Sequence, residues 1–320
     1  MKSIGFLRSV LFLLLLTTDS KIAHSQIEWQ KSRGIDGWIV QSLAVSPNGF
    51  LYAGTFGGGI FRSHDYGKSW QPVNSSVDNL NVFSVAVGTT GEIWAGTFGG
   101  GVFRSSNHGE TWKPMNHGLK NKEVLSLAIS PEGHLLAGTA YGGLYMSRND
   151  GEDWNFVGLE GAFIGSIAIT SEGGILVGCE RAGIFHSVDG GKNWTRANSG
   201  LASAEVWSIA SDREGTVYTA TNGEGVFRSA DGGRTWVPVN AGLTSQNVGA
   251  VGLSDDGQVF VGTTDGVFRS SNRGNEWVQS RMGLPSCAIR SVAFGFDGSI
   301  FIGTYGKGVF RSTGPAISMR

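Results

Sequence analysis

Carboxylates are the residues of this chain that come nearest to chemistry. Glu180 stands beside Arg181, Glu224 lies two positions after Asn222, and Asp265 falls in a Thr-Thr-Asp-Gly run. Two carboxylates about 5–9 Å apart can hydrolyse a glycosidic bond, one as acid and one as base or nucleophile. Arginine recurs as Arg62, Arg104, Arg228, Arg269 and Arg311, each time between Phe and Ser, in the manner of an anion-binding set. GTFGGG from Gly54 imitates a phosphate cradle, but no helical pattern follows it, and such a loop works through a helix N-terminus. Gly67-Lys68-Ser69 copies the end of a nucleotide-binding loop without the glycine required five positions earlier. His64, His108, His117, His134 and His186 show no metal-ligand spacing, so neither a metal nor a cofactor is expected.

The elements that must carry these residues are set by a repeat. GTFGGGIFRSHDYGKSW (54–70) returns as GTFGGGVFRSSNHGETW (96–112), and further copies end at Trp154, Trp194, Trp236 and Trp277. From Trp70 the spacings are 42, 42, 40, 42 and 41. A period near 40 residues with several short strands per unit is that of a propeller blade. The second unit divides into apolar runs at 82–87, 92–97, 102–106 and 111–115, separated by Gly and Asn turns, which read as a four-stranded antiparallel meander. A seventh unit begins at Gly303 and lacks a fourth strand and closing Trp. Ile27-Glu28-Trp29-Gln30 resembles the missing piece, and Trp29 precedes Trp70 by 41 residues, one period. The expected fold is an all-β, seven-bladed propeller over residues 26–320, its last blade closed by the N-terminal strand.

Ser63-His64-Asp65-Tyr66-Gly67-Lys68-Ser69-Trp70 resembles the Asp-box, or BNR repeat, of pattern S-x-D-x-G-x-x-W. Five further copies carry Asn107, Asn149, Asp189, Asp231 and Asn272 at the acidic position and close on Trp112, Trp154, Trp194, Trp236 and Trp277. The resemblance implies a hairpin between the third and fourth strands of each blade. Its chemistry agrees: Asp or Asn accepts hydrogen bonds from turn amides, and Gly supplies positive φ. Trp is a large apolar plug between blades. Residues repeated in every blade are structural, because a ligand site breaks symmetry; the five arginines are therefore read as structural too.

Function is sought where the repeat is broken, on the face that carries the turns between second and third strands. Those turns present Phe56, Phe98, Tyr141, Glu180 with Arg181, Asn222 with Glu224, Asp265, and Tyr305 with Lys307. The residue before the small residue of each first strand is Gln41, Phe83, Leu125, Gly165, Trp207, Gly249 or Arg290. Aromatic residues facing acidic and amide groups suit a carbohydrate or a peptide segment. Resemblance to photosystem assembly factors and sortilin-type receptors implies non-catalytic binding or scaffolding. Resemblance to sialidases and xyloglucanases implies the alternative, a glycoside hydrolase. Sialidase-type catalysis needs an arginine triad, of which only Arg181 and Arg290 are on offer, and the turns are short for a substrate cleft. A binding propeller is the reading adopted, with a protein or carbohydrate ligand.

The first 25 residues have the basic, apolar and small-residue order of a signal peptide, with Ala23 and Ser25 before the expected cleavage point. A secreted or periplasmic monomer without a membrane span is expected. Net charge is −1, and −3 without residues 1–25, which gives no electrostatic case for nucleic acid. Glycine is abundant (51 of 320) and proline scarce (7), as suits many tight turns. Cys179 and Cys287 fall in the fourth and seventh units, too far apart around a ring to be bridged.

Overall fold

A computed structural model describes residues 27–202 and 205–315, so the expected signal peptide lies outside the described residues. Seven sheets of four antiparallel strands follow one another around a ring. Blade 1 comprises Ile39–Val45, Leu51–Phe56, Gly59–Ser63 and Gln71–Pro72. Blade 2 comprises Val82–Val87, Ile93–Thr97, Gly101–Ser105 and Lys113–Pro114. The outermost strand is shorter than the run at 111–115 promises. Thr111 is held in the box turn by Asn107, and Pro114 has no N–H to extend the ladder. Blades 3 to 6 repeat the plan.

Blade 7 takes three strands from the end of the chain and its fourth, Trp29–Lys31, from the beginning. Trp29 pairs with Ser312 and Lys31 with Phe310, and the Thr313 amide bonds to the Glu28 carbonyl at 2.9 Å. The Trp29 indole donates to Ser280 of blade 6 at 3.1 Å, which ties the strand to the preceding blade as well.

The core is distributed among the seams between blades. One cluster joins Tyr52, Ile60 and Val73 of blade 1 to Val82, Ile93, Phe103 and Trp112 of blade 2. Gly54 of the GT motif belongs to this packing: a Cβ there would lie 2.8 Å from Val82. The glycine permits close approach of two blades. The arginine of the Phe-Arg-Ser motif also crosses the seam. Arg62 donates to the His108 carbonyl at 2.7 Å and pairs with Glu110, and Arg228 donates to the Arg273 carbonyl at 2.7 Å.

Each box hairpin is built by its own side chains. In blade 1 the Ser63 hydroxyl accepts from the Gly67 amide (2.9 Å) and donates to Asp65, while Asp65 accepts from the Ser69 amide at 2.9 Å. Beyond plugging the seam, five box tryptophans donate their indole N–H to the blade before, among them Trp112 to Val73 (2.7 Å), Trp154 to Met115, Trp236 to Ala197 and Trp277 to Val239. Trp194 does the same with Val157.

Candidate functional site: the channel mouth

Every first strand carries a β-bulge at the same place. Pairing in blade 1 jumps from Val40 to Ser42, in blade 2 from Val82 to Ser84, in blade 5 from Val206 to Ser208 and in blade 7 from Ile289 to Ser291. Blades 3, 4 and 6 do likewise. The skipped residues are Gln41, Phe83, Leu125, Gly165, Trp207, Gly249 and Arg290, and together they line a cup of about 220 Å³. A bulge leaves one residue outside the ladder and re-aims its side chain. Seven equivalent bulges therefore form a ring of seven inequivalent side chains. The next residues of the same strands complete the lining: Ser42, Ser84, Ser126, Ser166, Ser208 and Ser291, with Leu43, Leu127, Ile167, Val251 and Val292.

The turns between second and third strands surround the cup, because Phe56 bridges to Asn81 and Phe98 to Glu123 at the approach to the next blade. Phe56, Phe83 and Phe98 form a continuous series, with ring centroids 6.1 Å and 5.7 Å apart. Phe56 is 45% exposed and Phe98 36%. Tyr141 is 64% exposed and stacks edge-on against Phe163 at 5.4 Å. Trp38 and Leu80 add exposed apolar surface at the same level, and the Trp38 ring lies against Gly57 and Gly58. Phe56, Phe98 and Tyr141 thus pack against neighbouring rings and also present apolar surface. Trp38, Leu80 and Phe163 escaped the sequence reading because they precede the first strands, in segments that do not repeat.

Tyr305 does not join this arc. It lies 5.5 Å from the Arg290 guanidinium, whose other neighbour is the Trp207 ring at 5.3 Å. Trp207 belongs to blade 5 and Arg290 to blade 7, so the arginine reaches across Gly249 of blade 6. Burial holds its guanidinium below the usual arginine range. Its Nε–H is buried without a partner, and no carboxylate among the described residues pairs with it.

Two of the three turn carboxylates are engaged locally. Glu180 pairs with its neighbour Arg181 at 3.4 Å, and Asp265 accepts from Thr244 at 3.0 Å. Asn222 donates to Glu205 at 2.7 Å. Glu224 is exposed, and its backbone carbonyl accepts from Asn240 at 3.0 Å. Among the described residues no group of three or more His, Cys, Asp and Glu side chains is placed to hold a metal. Cys179 and Cys287 are free thiols, and burial pushes the Cys179 thiol up to about 12.

Six box hairpins and a closed ring of seven four-stranded blades define an Asp-box β-propeller. The family described as BNR-Asp box repeat matches residues 60–73, and the one described as DUF6242 beta propeller domain matches residues 180–296. No curated protein matches the chain. Among solved structures it is similar to YCF48 from Cyanidioschyzon merolae, at 16% identity and TM-score 0.69 over 89% of this chain and 98% of that one. A structure of YCF48 bound to D1 peptide gives 14% identity and TM-score 0.73, covering 89% and 96%. The GH74 xyloglucanase of Xanthomonas campestris gives 18% and 0.66, with 88% of this chain matching 53% of that enzyme. At these identities the likeness concerns the fold. No helix among the described residues is long and apolar enough to cross a membrane.

Proposed function

We propose that this chain is an exported binding propeller that holds a segment of another protein against its channel mouth. The observation that carries the reading is the exposed arc of Trp38, Phe56, Leu80 and Phe98 beside the cup. Aromatic and aliphatic groups clustered on one face, beside a concave polar centre, are what a bound segment buries. A propeller of similar fold has been captured with a peptide, which adds weight by analogy. Glycoside hydrolysis has less support, since Glu180 and Asp265 are occupied by neighbours in their own surroundings.

The test is a synthetic peptide array and a glycan array, each probed with the wild-type protein and a Phe56→Ala/Phe98→Ala variant. Peptide signals that fall at least tenfold in the variant are expected. Equal peptide binding by both proteins would remove the aromatic arc from the site. Signals on glycans alone would replace the protein segment with a carbohydrate.

A further inference from the structure

We infer that Arg290 reads a carboxylate, and that the segment bound at the channel mouth places an anionic tip inside the cup. This deepens the peptide-binding reading and rests on it. Arg290 is the one ionised side chain of the bulge ring; the other six positions carry Gln, Phe, Leu, Gly, Trp and Gly. Its guanidinium carbon lies over the Trp207 and Tyr305 rings, 5.3 Å and 5.5 Å from their centroids. Stacking of this kind uses the faces of the guanidinium and leaves its in-plane N–H donors for a ligand.

A half-buried cation without a counter-charge has lost hydration that two aromatic rings replace only in part. An incoming carboxylate supplies both the charge and a pair of acceptors in the fork geometry that guanidinium fits. The surroundings limit what that anion can be. Gly165 and Gly249 flank Trp207 in the ring and leave room at its sides. A Cβ at Gly249 would lie 2.7 Å from the Ile289 carbonyl oxygen, so this glycine lets blades 6 and 7 approach beside the Arg290 chain. Below the bulge ring the lining mixes serines such as Ser42, Ser208 and Ser291 with aliphatic side chains, and offers no second cation. A cup of about 220 Å³ admits a carboxylate and a few carbons. The adjoining Phe56–Phe83–Phe98 series would receive an apolar residue next to the anion.

Three small probes separate the possible sources of the charge. N-acetyl-phenylalanine carries a terminal carboxylate, N-acetyl-aspartyl-phenylalaninamide carries a side-chain one, and N-acetyl-phenylalaninamide carries none. Each is titrated into the full protein while the Arg290 Nε–H and the Trp207 indole N–H are followed by NMR. At least one acid should shift both resonances and bind ten or more times more tightly than the neutral amide. Arg290→Gln should abolish that preference, and Arg290→Lys should restore it only in part, since ammonium cannot form the fork. A terminal acid that alone succeeds identifies a chain end; an aspartyl probe that alone succeeds identifies an internal acidic residue. Equal binding of all three probes, no binding of any, or a preference that persists in Arg290→Gln overturns the inference. Should Arg290→Gln fail to fold, the acid-to-amide ratio on the wild-type protein decides. If array peptides still depend on Phe56 and Phe98 while acids and amide bind alike, the carboxylate assignment fails and the peptide reading stands.

Discussion

The closing tryptophans of the boxes occupy equivalent places but do not make equal contributions. Trp112 is buried and donates its indole N–H to the Val73 carbonyl at 2.7 Å, whereas the Trp70 N–H, equally buried, has no partner. Phenylalanine preserves most of the packing and deletes the donor. Trp112→Phe should therefore destabilise by about 1 kcal/mol more than Trp70→Phe, the net worth of one buried hydrogen bond. Urea unfolding of the two variants measures the difference; equal losses would show that packing alone sets the seam. The register of the repeat made these tryptophans readable as plugs. It could not reveal the indole bonds, because their acceptors are backbone carbonyls of the preceding blade, at positions whose side chains vary. The same holds for Asn74, which lies four residues beyond its box Trp. It accepts from the Ile60 amide at 2.6 Å and donates to the Gly58 carbonyl, yet its recurrence as Asn116, Asn198 and Asn240 drew no notice beside the louder box.

Among the elements, the box hairpins divide into those with Asp and those with Asn, and this division has a consequence for acid stability. The Asn193 backbone amide, then its side-chain amide and the Ser187 hydroxyl, hold the Asp189 carboxyl at about 2. A carboxyl depressed in the folded state contributes stability above the unfolded value of about 4, and that contribution is lost as pH falls from there through 2. Asp189→Asn retains an acceptor without a titrating proton. Melting temperature should thus fall less steeply between pH 4 and pH 2 in the variant than in the wild type, and parallel curves would refute the assignment. Strand positions were legible to within a residue or two in blade 2, apart from the outermost strand. The bulges were not legible as bulges. What the sequence showed was a position before a small residue, and only the jump in pairing explains why Trp207 and Arg290, two blades apart, face one cup.

In the molecule as a whole, the fold was readable from the repeat and its incomplete end, and so were the seven residues of the bulge ring, while their contacts were not, because these cross blades. The missing fourth strand of blade 7 and the stray Trp29 together predicted the closure seen here. Deleting residues 1–32 should leave the Val309–Ser312 strand with an unpaired edge and remove the Trp29 plug from the seam with blade 6. Such a chain is expected to associate or aggregate, read as a shift to larger species in size-exclusion chromatography with light scattering. A monodisperse monomer with unchanged melting would contradict that role for the strand. Closure also sets an order in time. The first strand of the ring pairs with the last, so a chain halted anywhere before Val309 carries an orphan tryptophan and an open ring. The ring cannot close until that last strand has been made, and a copy without it is marked by the edge it exposes.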